Sequence, residues 1–197
     1  MGVLVVGIGG TVRARSSSET ALRVALEAAA ARGADVSLLA AAELTMPAYG
    51  PGADANHGAH LLTALRGADG LIVSTPGYHG GMSGLLKNAL DYVEEMANDD
   101  RPYLDLVPVG CIAVARGDQG AVSALSNLRT VVHALRGFPT PYGAAVTLPS
   151  VVPEAGWLTA AVRQRLELVG QQVYDLALAL RSTVQATEFA ANANAER

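Results

Sequence analysis

The sequence predicts an α/β fold: a three-layer sandwich with a five-stranded parallel sheet in the order 2-1-3-4-5 and helices on both faces. Three observations carry this. Short apolar runs alternate five times with amphipathic stretches, the pattern of parallel strands joined by right-handed helical crossovers. The runs are apolar almost throughout, as strands buried on both faces require. Glycine- and serine-rich turns follow the first and third runs. An open parallel sheet of this order takes its ligand there, beyond the carboxyl ends of strands 1 and 3.

The elements follow in order. Residues 3–8 (VLVVGI) make the first strand. Residues 16–32 make a helix, with Leu22, Ala25, Leu26 and Ala29 at helical spacing and Gly33 as its stop. Residues 36–40 are a second strand. Residues 43–58, with Pro47, Pro51, glycines and His57, read as loop. A short helix over 59–66 closes at Gly67. Residues 69–74 (DGLIVS) are the third strand, and 83–96 a helix with Leu86, Ala89, Leu90, Val93 and Met96 inward. A polar loop over 98–105 leads to the fourth strand (107–115) and fourth helix (120–135). The fifth strand spans 142–148, and a long last helix spans 158–181. These elements make one domain over residues 1–183. The Ala- and Asn-rich tail, 184–197, is expected to fray.

Composition narrows the function. A chain of 197 residues, half apolar and 16% charged, builds one compact core. A net charge of −4 disfavours a nucleic-acid surface. The single cysteine, Cys111, excludes an internal disulfide and a cysteine-based zinc site. With neither a long apolar run nor a leader pattern, a cytoplasmic location and no membrane partner are expected.

The first turn is GGTVRARSSS, residues 9–18. A phosphate wants backbone N–H groups at a helix N-terminus, hydroxyls and a guanidinium; Thr11, Arg13, Ser16, Ser17 and Ser18 offer them. Ser16 with Glu19 also matches a capping box, and the charge of Glu19 works against an anion. The turn lacks the G-K-S/T of a nucleotide P-loop and the third glycine of a dinucleotide fingerprint.

The second turn opens STPGYHGGMSGLLKNALDY, residues 74–92. Pro76 and Tyr78 suit packing on a flat ring. Backbone N–H groups from Tyr78 to Gly80 suit its polar edge, and His79 sits among them. The plainer reading is a glycine-rich turn with Tyr78 packed on its neighbours. Taken together, the turns point to one ligand with a phosphate end and a ring end.

Other residues read as structural. His57 and His60 lack acidic or thiol company, so no metal site is expected. His133 falls on the fourth helix, and Cys111 packs as a small hydrophobe. Ser83 beside His79 hints at a hydrolase, but Leu85 replaces the second glycine of a nucleophile elbow; Ser83 reads as a helix N-cap. Lys87, Asn88 and Asp91 form either a solvated face or a subunit contact.

These motifs resemble the NADPH-dependent FMN reductase family of flavodoxin-like proteins. GGTVRARSSS is similar to the family's GSxRxxS-type turn, with Thr11 in the serine position and Arg13, Ser16 and Ser18 in register. Thr75, Pro76, Tyr78, Gly84, Leu86, Lys87, Asn88, Ala89, Leu90 and Asp91 match its TPxYxxSxxGxLKNALD turn. ARGDQG, residues 115–120, corresponds to a small glycine-containing turn after the fourth strand. The resemblance covers about residues 3–145. It departs at Gly77, often acidic in relatives, at Gly81, often serine, and at Arg116 and Asp118, in a loop commonly small or hydroxylic.

The resemblance implies bound FMN. Its phosphate would meet Thr11, Arg13, Ser16, Ser17 and Ser18. Its ring would meet Pro76, Gly77, Tyr78, His79 and Gly80, with Arg116 and Gly117 closing the far edge. NADPH or NADH would give hydride to the flavin, so no protein nucleophile or base is expected. The implied enzyme is an FMN reductase, with supply of reduced flavin to a partner monooxygenase as one variant. The alternative is a flavin-bound quinone, azo or metal-ion reductase. Relatives pair through the third helix, which implies a homodimer or homotetramer. A flavodoxin-type electron carrier fits less well, since carriers use a T/S-x-T-G-x-T loop and are strongly acidic.

Overall fold

The computed structural model describes residues 2–12, 15–52, 54–149 and 156–195. The chain runs β1 (Leu4–Gly9), α1 (Ser17–Ala31), β2 (Asp35–Ala40), α2 (Ala59–Gly67), β3 (Gly70–Pro76), α3 (Gly84–Asp91), β4 (Pro108–Ala115), α4 (Asp118–Ala134), β5 (Phe138–Pro139), β6 (Ala144–Thr147) and α5 (Ala160–Ala195). All strand pairs are parallel. The order is β2-β1-β3-β4-β5, with β6 also paired to β4. This is the flavodoxin-like order expected from the sequence.

Side-chain alternation along the strands divides two cores. Val6 and Ile8 of β1, Leu71 and Val73 of β3, and Val109 and Cys111 of β4 share one face with α2, α3 and α4. Val5, Ile72, Ile112 and Val114 share the other with α1 and α5. Two glycines set the thickness of this second layer. A Cβ on Gly110 would lie 2.5 Å from a Val169 methyl, and one on Gly170 would lie 1.9 Å from the Ala25 carbonyl oxygen. Hence α5 lies backbone-close on α1 and directly above β4.

Three elements differ from the sequence expectation. The fifth strand is split: Phe138–Pro139 and Ala144–Thr147 pair with opposite ends of β4, with two extra residues between the halves. The ladder runs on through Thr140, whose N–H donates to the Val109 carbonyl at 2.9 Å, and breaks at the bend at Pro141, which has no N–H to give. The third helix tightens into a 3₁₀ turn over Tyr92–Met96. The last helix passes Arg181 and continues to Ala195.

Candidate functional site

Both informative turns lie at the carboxyl edge of the sheet, and two glycines bring the first against β3. Gly9 has φ +148°, and a Cβ there would sit 2.0 Å from the Ser74 carbonyl oxygen. The Gly10 N–H donates to that same oxygen at 3.1 Å. Ser74 then reaches across, its Oγ donating to the Ser18 carbonyl at 2.8 Å. The end of β3 is thereby tied to the start of α1.

Ser16 caps α1, its Oγ accepting the Glu19 N–H at 3.2 Å and lying 3.1 Å from Ser18 Oγ. Glu19 does not complete a reciprocal box with Ser16. Its carboxylate accepts the Arg15 N–H at 2.8 Å and pairs with Arg23 at 2.7 Å. The negative charge that counted against an anion is therefore engaged by a cation one turn along. Arg15 sits at φ +55°, a left-handed conformation held by that bond. The N–H groups of Ser17 and Ser18 belong to the first turn, which has no intrahelical acceptors, at the positive end of a 15-residue helix.

The second turn is a two-residue hairpin. Tyr78 and Gly81 exchange backbone bonds of 2.9 Å in each direction. His79 and Gly80 between them have φ +50° and +84°, as a mirror-image type I turn requires. This pairing uses the Tyr78 N–H, and the Gly77 N–H goes to the Val114 carbonyl at 2.8 Å. Neither is available to a ring edge. Thr75 Oγ1 accepts the Ser83 N–H at 2.9 Å, and Ser83 Oγ accepts the Leu86 N–H at 3.2 Å. Ser83 is thus an N-cap.

The third loop leaves β4 at Ala115. Gly117 is the N-cap of α4 and gives no side-chain cap. The Leu148 N–H donates to the Ala115 carbonyl at 2.7 Å, and Thr147 Oγ1 donates to Asp118 at 2.5 Å. The end of β6 is so bound to the head of α4.

The three loops enclose a cavity of about 680 Å³, within the range of cofactor pockets. Eight expected residues line it: Thr11, Ser16, Ser17, Ser18, Pro76, Gly77, Tyr78 and Arg116. His79 and Gly80 stand at the exposed hairpin tip, and they and Gly117 are not on its walls. Arg13 lies outside the described residues. Val12, Val114, Ala115 and Leu148 also line the cavity and were missed. Val114 and Ala115 ended a predicted strand, which signals the sheet edge but not which side chains face a ligand.

The lining suits FMN by its chemistry. Hydroxyls and first-turn N–H groups gather at one end. Pro76, Tyr78, Val114, Ala115 and Leu148 make an apolar slot beyond them, and no acidic side chain is among the described lining residues.

Residues 3–150 match the family described as NADPH-dependent FMN reductase. The chain belongs to that family. Among curated relatives, it is 40% identical over 68 residues to NADPH azoreductase of Bacillus sp. (strain OY1-2), covering 34% of this chain and 35% of that protein. It is 42% identical over 77 residues to FMN-dependent NADPH-azoreductase of Staphylococcus aureus (strain USA300), covering 38% and 36%. The chain thus matches about a third of the length of these curated relatives. Among solved structures, it resembles FerB, an NAD(P)H:(acceptor) oxidoreductase from Paracoccus denitrificans. The TM-score is 0.71 at 18% identity, over 89% of this chain and 97% of that one. RosB, solved with bound 8-demethyl-8-formylriboflavin-5'-phosphate, gives 0.73 at 17%, over 98% and 87%. Identities this low speak for the shared fold.

Proposed function

We propose that this chain is an NAD(P)H-dependent oxidoreductase that binds FMN in the three-loop cavity and passes hydride from NAD(P)H to the flavin. One observation carries the reading. A single cavity joins the serine-lined start of α1 to the apolar slot between Pro76, Tyr78, Ala115 and Leu148. That pairs an anion-binding end with a ring-binding end. Bound FMN would supply the redox centre, taking a hydride from NAD(P)H and returning two electrons to an acceptor.

The residues do the rest. Ser16 and Ser18 hold α1 in place, while Thr11, Ser17 and the first-turn N–H groups meet the phosphate. The apolar walls exclude water from the ring. Tyr78, 53% exposed, stands at the mouth, where it can pack on the ring. No side chain is needed as nucleophile or base.

A second reading, consistent with the azoreductase relatives, keeps the flavin bound and reduces an azo or quinone acceptor in place. Supply of free reduced flavin to a monooxygenase is the opposite case. A cytoplasmic homodimer or homotetramer completes the proposal, with size-exclusion chromatography as its check.

The test is an absorbance spectrum of protein titrated with FMN, followed by anaerobic NADPH and NADH additions. Perturbed flavin bands that bleach with one equivalent of nucleotide support the reading. Bound flavin that never bleaches indicates an electron carrier, and absence of flavin binding refutes the site.

A further inference from the structure

This inference rests on the FMN reading above. Arg116 is the only charged side chain among the described residues that line the cavity. It follows β4, two strands along the sheet from the turn after β1. At about 4.8 Å per strand, that places its backbone roughly 10 Å across the sheet from the serine cluster. A phosphate held by the serines leaves Arg116 for another part of the ligand.

Its charge is uncommitted. The nearest acidic residue in sequence, Asp118, is turned toward β6, where it accepts from Thr147 Oγ1. Among the described residues no ion pair or hydrogen bond engages the Arg116 guanidinium. The head of α4, whose N-cap Gly117 offers no side chain, adds partial positive charge beside it. The ring end of the cavity is thus cationic, with otherwise apolar walls.

An oxidised flavin ring is neutral and gains little from a cation. Hydride transfer converts NAD(P)H and FMN to NAD(P)⁺ and a ring that carries one more negative charge. An acceptor later removes those two electrons with the proton. We propose that Arg116 makes this cavity bind reduced FMN more tightly than oxidised FMN. The flavin then stays in place between the two half-reactions, and the acceptor is reduced on the protein. This favours acceptor reduction at a retained flavin over release of reduced flavin.

The experiment compares wild type, Arg116→Gln and Arg116→Lys. Dissociation constants are measured for oxidised FMN and, anaerobically, for chemically reduced FMN. The midpoint potential of bound flavin is measured by dye equilibration. Wild type should bind reduced FMN more tightly. Arg116→Gln should weaken the reduced state about tenfold more than the oxidised, which for two electrons lowers the potential by about 30 mV. Arg116→Lys should retain most of the difference. Equal loss in both states, no loss in either, or an effect confined to KM for NADPH against NADH overturns the inference. A wild-type protein that binds FMN in neither state defeats the underlying FMN reading. One that binds FMN with a ratio insensitive to Arg116→Gln defeats this inference alone.

Discussion

Ser16 and Ser17 are adjacent in the first turn, yet their substitutions should separate stability from ligand affinity. Ser16 is 5% exposed, and its Oγ accepts the Glu19 N–H. Ser16→Ala leaves that N–H buried and unpaired. Loss of an N-cap of this kind costs about 1.5 kcal/mol. In a domain of this size that lowers the melting temperature by about 3–6 °C. Ser17 is half-buried on the cavity wall and its side chain has no hydrogen bond among the described residues. Ser17→Ala should leave the melting temperature of the flavin-free protein nearly unchanged, within about 0.5 kcal/mol. It should remove one hydroxyl from a phosphate dianion, worth about 1.5–3 kcal/mol, a loss of about 10- to 100-fold in FMN affinity. Fluorescence titration with FMN and with riboflavin separates the phosphate from the ring. Riboflavin should bind wild type and Ser17→Ala alike. Equal losses for both ligands, or unchanged FMN affinity, would refute the phosphate assignment. An unchanged melting temperature for flavin-free Ser16→Ala would refute the capping argument.

Two further predictions concern residues off the cavity wall. Asn88 fastens the segment after β2: its Oδ1 accepts the Tyr49 N–H at 2.8 Å, and its Nδ2 donates to the Pro47 and Met46 carbonyls at 2.9 and 3.3 Å. Asn88→Ala should release it at a cost of about 2–3 kcal/mol, read as faster hydrogen exchange over residues 45–52. Asn88→Asp should fail to rescue it, because a carboxylate faces two carbonyl oxygens; slow exchange in that variant would contradict the assignment. The Cys111 thiol, buried in the core, is pushed up to about 12 by desolvation. Its unfolded value is near 9, so above pH 9 the unfolded chain holds fewer protons, and stability falls as pH rises toward 12. Below pH 9 the thiol contributes no slope. Alkylation should therefore need unfolding, and Cys111→Ala should flatten the alkaline limb of the stability profile; modification of the native thiol at pH 8 would count against this.

Much of the architecture was legible because it rests on local signals. Unbroken apolar runs such as residues 107–115 admit only a strand covered on both faces, and their alternation with helices leaves few topologies. The split of the fifth strand was harder to read. Pro141 marks the break, but the two extra residues between the halves show only in the register each half takes against β4. Asn88 had two readings in sequence, a solvated face or a subunit contact. The structure gives it another role, because its partners lie some 40 positions earlier in the chain. Tyr49, held in that segment, donates to Glu95 at 2.8 Å. That bond raises the phenol's pKa, with burial and further acidic neighbours adding to it.

By itself the sequence determined the fold and the residue types in the two turns that line the cavity at the carboxyl edge of the sheet. Those follow from periodicity, helix capping and the positions of glycines, which act over a few residues. Only the tertiary structure decided which groups face the cavity. The hairpin exchange between Tyr78 and Gly81 uses an N–H expected for the ligand and lifts His79 and Gly80 away. Arg23 and the Arg15 N–H engage Glu19, and Thr147 draws off Asp118, so Arg116 keeps its charge for the cavity. Each of these depends on a hydrogen bond or ion pair whose geometry the folded backbone supplies, and residue identity alone does not say which partner a charged or polar group will take.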